Sequence, residues 1–402
     1  MGNKKNKIAI INSVCGIGST GRICVELSSF LETNGFETSI YFGRHKEKNT
    51  NKNHICFSSL FDNVIHCILT RIFDNTGFNS IVATKKLIKK LNSFSPNLII
   101  LNNLHGYYIN IDLLLNWIAE KNIKTILVCH DCWNFTGHCA HFDLQHCDKW
   151  KSECHDCPLK KDYPASFFID NSRINFKKKK RLFSNINCLS IVSPSVWMAD
   201  LIKQSFLGLK NISVINNGID TDVFKRRKGT FKRDNNIEDK KIILCIANIF
   251  NEKKGFWDVL KLSKLLSRDE IILMVGKIKI KKKYYLPSNI LHIDRTDNLD
   301  QLVDIYSSSD IMFNPTYEDT YSNTNLEALS CETPVVCYKT GGAKEMVNQD
   351  FLVEQGNIEK SYQIIKNVLC GKIAYTFNKK MDYSKRKMHN QYLQLINNLL
   401  KE

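Results

Sequence analysis

Short apolar runs rich in β-branched residues recur along this chain, each followed by a stretch with helical periodicity, and that alternation restricts the fold more than any other feature. Residues 7–13, 38–42, 97–101, 125–129 and 188–192 read as buried strands. Residues 21–33 place Ile23, Leu27, Phe30 and Leu31 on one helix face. Residues 61–73 carry a second stripe, Phe61, Val64, Ile65, Ile68, Leu69 and Ile72, which reads as a core-facing helix rather than a membrane anchor. A second series starts at 241–247 and continues through 271–275, 290–293, 311–314 and 335–338. Alternating βα units predict an α/β fold with parallel sheets covered by helices on both faces. Between the series, residues 214–224 read as a linker, with Gly218 for the turn and Phe224 as an anchor. The expected organisation is an N-terminal domain over 1–215, a C-terminal domain over 216–382, and a Lys-rich helix in 383–402.

The length of 402 residues and an apolar fraction of 43% supply two cores. No run approaches the ~18 apolar residues of a membrane span. The N-terminus, Met1-Gly-Asn-Lys-Lys-Asn-Lys7, leads directly into a strand, without the apolar stretch and small-residue cleavage site of a signal peptide, so a cytoplasmic location is expected. Met1-Gly2 resembles the start of a myristoylation site, but Asn6 stands where Ser or Thr is required. The formal charge of +17, with basic runs at 177–181 and 277–283, fits either a Lys-rich solvated surface or an anionic partner. No nucleic-acid-binding motif accompanies the charge and the basic runs lack interleaved aromatics, so no nucleic acid is expected. A peripheral contact with an anionic membrane surface would suit an enzyme acting on lipid-linked sugars.

The segment 314–329 concentrates chemistry. Asp319 and Glu327 stand eight apart, with Glu318 one residue further out, and Leu326-Glu-Ala-Leu329 opens a helix. A loop ending at a helix N-terminus presents unpaired N–H groups that suit a phosphate, here around Thr324 and Asn325. A carboxylate inside the same helix repels phosphate but accepts hydrogen bonds from sugar hydroxyls. Phosphate and polyol recognised together point to a nucleotide-sugar, against the blander alternative of a capped helix with surface acids. The strand over 334–338 and the turn Thr340-Gly341-Gly342 follow.

Other clusters sit at strand ends. Gly16-Ile-Gly-Ser-Thr-Gly21 fits G-x-G-x-x-G, which invites a dinucleotide enzyme. The second strand ends in Phe42-Gly43-Arg44, with no acid for a ribose, so NADP is the form that the pattern leaves open. His130 and Asp131 follow a buried strand at the edge where open α/β sheets bind ligands. Lys253, Lys254 and Gly255 follow the first strand of the second series, with Asn248 before them, and two lysines there could neutralise a diphosphate. Residues 129–157 hold six of the fifteen cysteines and five of the eleven histidines. Cys154-x-x-Cys157 has zinc-knuckle spacing, Cys139 and Cys147 could complete a structural zinc site, and His138, His141, His146 or His155 could replace one ligand. Four protein ligands leave no open position for catalysis. The alternative is a set of free thiols packing a loop.

The acid-x7-acid spacing, the strand and the Thr-Gly-Gly turn resemble the retaining glycosyltransferases of the GT-B fold, family 4 in particular. His130-Asp-Cys-Trp-x-Phe-Thr-Gly-His-Cys139, the Cys-rich segment to about residue 160, and Val192-Ser-Pro-Ser-Val-Trp-Met198 are similar to a bacterial subgroup acting in colanic-acid, capsule, exopolysaccharide and O-antigen assembly. The resemblance covers about residues 8 to 350. It implies two facing Rossmann-like domains and a C-terminal helix crossing back to the first. It further implies a UDP- or GDP-sugar donor on the second domain, an acceptor glycan or lipid-linked oligosaccharide on the first near Gly18 and Ser19, and no catalytic metal. Glu327 is expected to take the ribose, Glu318 or Asp319 the sugar hydroxyls, His130 the sugar from the first domain, and Lys253, Lys254 and Asn248 the diphosphate loop. The family's usual first acid is Glu, its linker has Pro where Asn216 stands, and its phosphate-loop Arg is replaced by Asn248. A GT-B epimerase or phosphorylase, an NADP-dependent oxidoreductase, and a zinc-stabilised glycan-binding module without catalysis remain the alternatives.

Overall fold

A computed structural model of the chain describes residues 5–45, 51–375, 377 and 381–401. The opening residues 1–4, on which the signal-peptide and myristoylation expectations partly rest, lie outside the described residues. The chain divides into two compact units, Met1–Ile215 with His389–Glu402, and Asn216–Met388.

In the first unit the elements are β1 (Lys7–Asn12), α1 (Gly18–Thr33), β2 (Glu37–Phe42), β3 (His54–Cys56), α2 (Leu60–Phe73), α3 (Ile81–Phe94), β4 (Leu98–Leu101), α4 (Ile111–Glu120), β5 (Lys124–Val128), α5 (Ser172–Ser184), β6 (Leu189–Ser193), α6 (Val196–Gln204) and β7 (Asn211–Val214). The sheet is wholly parallel, in the order β3-β2-β1-β4-β5-β6-β7. Its central strands are apolar on both faces because helices cover both: Leu101 and Leu127 on one face and Ile100 and Ile126 on the other are fully buried.

The second unit contains α7 (Phe231–Asp234), β8 (Lys241–Phe250), α8 (Phe256–Ser263), β9 (Glu270–Ile278), β10 (Ile290–Ile293), α9 (Leu299–Ser308), β11 (Ile311–Asn314), α10 (Asn323–Ser330), β12 (Val335–Tyr338), β13 (Leu352–Val353) and α11 (Ile358–Leu369). Its strands are again parallel, ordered β10-β9-β8-β11-β12-β13. The last helix, α12 (Lys385–Lys401), starts in the second unit, and from His389 onward it belongs to the first. There His389 stacks on Phe30 at 5.1 Å, and Tyr392 and Ile396 are buried.

In both sheets the strand order reverses once, between β1 and β4 and between β8 and β11. Loops leaving neighbouring strands at such a point diverge and leave a crevice beyond the strands' carboxyl ends, where ligands of this architecture sit.

Three elements differ from the sequence expectations. The first sheet does not close at residue 192, because 211–214, at the edge of the expected linker, add β7 beside β6. Helix α10 begins at Asn323, three residues before Leu326, behind Ser322 as N-cap. The α2 stripe does not face the core. Phe61, Val64, Ile65 and Ile68 are exposed, whereas His66 and Thr70 are fully buried. The polar face turns inward because the following loop supplies its partners: His66 Nδ1 lies 2.8 Å from Ser80 Oγ, and the Gly77 N–H donates to His66 Nε2 at 3.2 Å.

Candidate functional site

Within the second unit, the loops after β8 and β11 meet at the reversal point. Asn251 Oδ1 accepts from the Lys254 N–H at 3.0 Å and closes a single turn over Glu252–Lys254. Gly255 ends that turn at φ +70° against Pro315, where a Cβ would fall 2.3 Å from the Pro315 carbonyl oxygen. Only glycine permits this approach. The Tyr317 N–H then donates to the Lys253 carbonyl at 2.8 Å.

This contact brings four of the predicted residues together. Lys253 Nζ lies 2.8 Å from Glu318 Oε2. Lys254 Nζ lies 3.1 Å from Asp319 Oδ2 and donates to the Glu318 carbonyl at 3.3 Å. Glu318 is 4% exposed, and its second oxygen, Oε1, is buried with no hydrogen-bond partner in the ligand-free protein. A buried carboxylate oxygen left in that state is costly unless something donates to it.

The Thr-Gly-Gly turn backs the acidic loop. Thr340 Oγ1 donates to the Thr316 carbonyl at 2.7 Å, and the Gly342 N–H donates to the Thr320 carbonyl at 3.1 Å. Gly341, at φ +51°, passes so near Asp319 that a Cβ would fall 1.9 Å from its carbonyl oxygen.

On α10, Glu327 is half-buried and its Oε2 accepts from the Tyr306 hydroxyl at 2.8 Å. Burial, reinforced by that carboxylate, pushes the Tyr306 phenol well above its ordinary range, so Tyr306 stays a donor. Thr324 and Asn325 occupy the first turn of α10, where backbone N–H groups have no intrahelical acceptor. The Asn325 side chain is fully buried, with Oδ1 accepting from Asn314 Nδ2 at 2.7 Å, so it braces the loop from inside. Asn248 is exposed within β8, in the bulge between Ile246 and Ile249, and is not drawn into this cluster.

The first unit gathers a second polar group at its own strand ends. Asn102, His105, His130 and Asp131 follow β4 and β5. His130 Nε2 lies 3.0 Å from Asn102 Oδ1, and burial lowers its pKa to about 4, so the imidazole is neutral near pH 7. His105 bridges Asp131 Oδ2 at 2.6 Å and the Tyr163 hydroxyl at 3.0 Å. Burial alone would raise the Asp131 carboxyl, but His105 and the Trp133 N–H hold it below the usual carboxylate range. His105 is missing from the sequence expectations, although the argument that selected His130, a histidine just past a buried strand, applies to it equally. Gly18 and Ser19 are exposed at the head of α1. The Gly16 N–H donates to the Gly21 carbonyl at 3.1 Å, and the glycine pattern serves that tight turn.

The Cys-rich loop is built differently from the zinc site expected. Among the described residues no three His, Cys, Asp or Glu side chains are placed to hold a metal ion. Cys139 and Cys157 hydrogen-bond each other, Cys154 Sγ accepts from the Gly137 N–H at 3.2 Å, and Cys147 is half-buried. His138 is taken by Asp74. The loop is held by stacked aromatics, Phe142 on Trp150 at 4.9 Å, and by the buried Lys179 ammonium, which donates to the Trp133 and Thr136 carbonyls at 2.7 and 3.1 Å. Cys139 and Cys154 pack there as small buried side chains, while Cys147 and Cys157 are partly exposed.

Comparison with known proteins accounts for both halves. Residues 20–223 match the model of Glycosyltransferase Family 4, and residues 227–388 match Glycosyl transferases group 1. WcaC of Escherichia coli (strain K12), named for colanic acid biosynthesis, is 30% identical over 159 residues, which are 38% of each protein. The chain spans 38% to 47% of the length of the curated relatives it matches. Sucrose-phosphate synthase from Thermosynechococcus elongatus superposes with a TM-score of 0.70 at 14% identity, covering 99% of this chain and 100% of that one. Anabaena HepE, solved with UDP-glucose, superposes with a TM-score of 0.64 at 12% identity over 98% and 99% of the two chains. The two parallel α/β units therefore have the GT-B fold, and the chain belongs to glycosyltransferase family 4.

Proposed function

We propose that this chain transfers a hexose-type sugar from a nucleotide-diphosphate sugar to a glycan or lipid-linked oligosaccharide in bacterial surface polysaccharide assembly, with retention of anomeric configuration. The observation that carries this reading is the buried, unsatisfied Glu318 Oε1 beside two lysines at the reversal point of the second sheet. A sugar hydroxyl is the neutral donor that such an oxygen lacks. UDP is favoured over GDP because a relative of the same fold, HepE, was solved with UDP-glucose. The subgroup assignment draws on the likeness to WcaC.

In the mechanism that fits, Glu327, held by Tyr306, accepts from the ribose hydroxyls. Lys253, Lys254 and the first N–H groups of α10 hold the diphosphate, exchanging their carboxylate partners for phosphate oxygens. Glu318 and Asp319 position the sugar. The C1–O bond to the diphosphate breaks while the acceptor oxygen bonds C1 on the same face, and the acceptor's proton passes to the leaving phosphate oxygen. Fixed cations stabilise the charge that develops there, and no side-chain nucleophile is needed. His130, neutral and anchored to Asn102, is suited to contact the sugar without adding charge. Among the described residues no helix is long and apolar enough to cross a membrane. A peripheral station at the inner membrane face suits the proposed acceptor.

The test is thermal unfolding with UDP, GDP, CMP and NADP at about 1 mM each. A ligand at about 100 times its dissociation constant adds about 2.7 kcal/mol. A shift with UDP alone supports this reading. A shift with NADP alone would move the site to the Gly16–Gly21 turn and discard the mechanism.

A further inference from the structure

Helix α2 is built inside out for a soluble protein. Its polar residues His66 and Thr70 are fully buried, while Leu60 and Phe61 are 74% and 75% exposed, with Val64 and Ile68 about half exposed one and two turns further on. The pattern is not confined to one helix. The Phe167 N–H donates to the Arg71 carbonyl at 2.8 Å and the Ile169 N–H to the Ile72 carbonyl at 3.1 Å, so a second segment is pinned to the end of α2. That segment presents Phe168 at 73% exposure. Ile81 and Val82, which follow the Ser80 bonded to His66, are exposed as well. A contiguous apolar face of this kind is unusual on a monomer and marks a surface that something covers.

The charge around it identifies the occupant. Between residues 160 and 181 there are eight Lys and Arg against two Asp. Lys179 is buried, Arg173 and Lys177 pair with Glu153 and Arg181 with Asp112, which leaves Lys160, Lys161, Lys178 and Lys180 outside the ion pairs. The exposed side of α3 adds Lys85, Lys86, Lys89 and Lys90 with no acid. The nearby acids are already engaged. Glu153 is paired with Lys177, and Asp170 accepts from the Cys157 and Ser172 N–H groups. Aromatic and aliphatic side chains ringed by uncompensated lysines match the boundary between acyl chains and anionic headgroups. A second protein copy carrying the same cations would be repelled.

We propose that the α2 face, together with Phe168 and its flanking lysines, docks the protein onto an anionic phospholipid bilayer. This gives the proposed lipid-linked acceptor its physical setting, but it rests on the proposed function only in that respect. Bilayer binding is measured without nucleotide or sugar, so its failure is distinguishable from a failure of the transferase reading.

The experiment is co-sedimentation of the full chain with vesicles of phosphatidylcholine alone and of phosphatidylcholine with phosphatidylglycerol, at low and high salt. The expected result is binding to the anionic vesicles that weakens with salt. It should fall about tenfold in the double variant Phe61→Ser/Phe168→Ser and about tenfold in Lys85→Glu/Lys161→Glu. All four side chains are exposed or flank the face, and an unchanged thermal midpoint verifies that the variants fold. Binding that ignores the Phe substitutions would overturn the assignment of this face. Absence of vesicle binding, with a concentration-dependent dimer that Phe61→Ser/Phe168→Ser dissociates, would make the face an interface between copies and overturn the proposal.

Discussion

Lys253 Nζ lies 2.8 Å from Glu318 Oε2, the lysine about one-third exposed and the carboxylate almost wholly covered. The pair leaves Glu318 Oε1 as the acceptor that a sugar hydroxyl would satisfy, whereas Asp319, 26% exposed and paired with Lys254, remains partly hydrated. Glu318 is therefore expected to matter more than Asp319. Glu318→Gln should lower kcat/KM about 100-fold, the scale of one or two hydrogen bonds to a charged group, and leave the UDP dissociation constant within about threefold. Asp319→Asn should cost about tenfold. Steady-state kinetics with calorimetric UDP titration decides it, and the reverse ranking would hand the sugar to Asp319.

Glu327 is oriented by Tyr306, at 2.8 Å. Glu327→Ala should abolish transfer with the fold intact. Near-normal turnover would sink the ribose assignment. Tyr306→Phe keeps the carboxylate but frees it to rotate. It should cost about 1 kcal/mol of stability, the net worth of one hydrogen bond, and raise the KM for donor severalfold. A Tyr306→Phe enzyme as inactive as Glu327→Ala would mean that the phenol acts on substrate itself.

The parallel α/β architecture was legible because buried parallel strands are apolar on both faces, and runs such as 311–314 and 335–338 say so without tertiary help. The pairing of Lys253 and Lys254 with Glu318 and Asp319 was not legible, since it depends on Gly255 pressing against Pro315 across 60 positions of sequence. The α2 stripe misled for a definite reason. Helical periodicity reports that one face is apolar and does not say which face the protein turns inward, and here the acceptors and donors at Gly77 and Ser80 drew His66 in. The cysteine spacing carried less than it promised. Cys-x-x-Cys fits a zinc knuckle, but spacing does not say whether other ligands converge on it, and among the described residues no three His, Cys, Asp or Glu side chains do.

Two buried imidazoles set a pH dependence. Burial lowers His66 to about 3 and His130 to about 4, against about 6.5 unfolded. Between about pH 4 and 6.5 the unfolded chain binds protons that the folded chain refuses, so stability falls as pH drops through that window. At pH 5 each imidazole should cost about 2 kcal/mol relative to pH 7.5. His138 opposes this: burial lowers its pKa, but Asp74 more than compensates and raises it, so its contribution is complete at low pH and is lost as pH rises. The expected net result is a lower thermal midpoint at pH 5 than at pH 7.5, with the difference reduced in His66→Gln. A pH difference as large in His66→Gln as in the parent would show that His66 is not held neutral in the folded protein.

Gly341 and Gly371 both have positive φ, +51° and +67°, but differ in surroundings. A Cβ at Gly371 meets nothing within 4 Å, so Gly371→Ala bears only the left-handed backbone cost of about 1–2 kcal/mol. A Cβ at Gly341 would fall 1.9 Å from the Asp319 carbonyl oxygen and must push the acidic loop away from the Thr340 turn. Gly341→Ala should therefore lower the thermal midpoint more than Gly371→Ala. It should also weaken UDP-sugar binding about tenfold or more, because moving Asp319 and the neighbouring Glu318 displaces the carboxylates proposed to position the sugar. The comparison separates backbone strain, common to both variants, from loop displacement, confined to one. Equal effects on donor affinity would mean that the Thr-Gly-Gly turn supports the fold and not the position of the acidic loop.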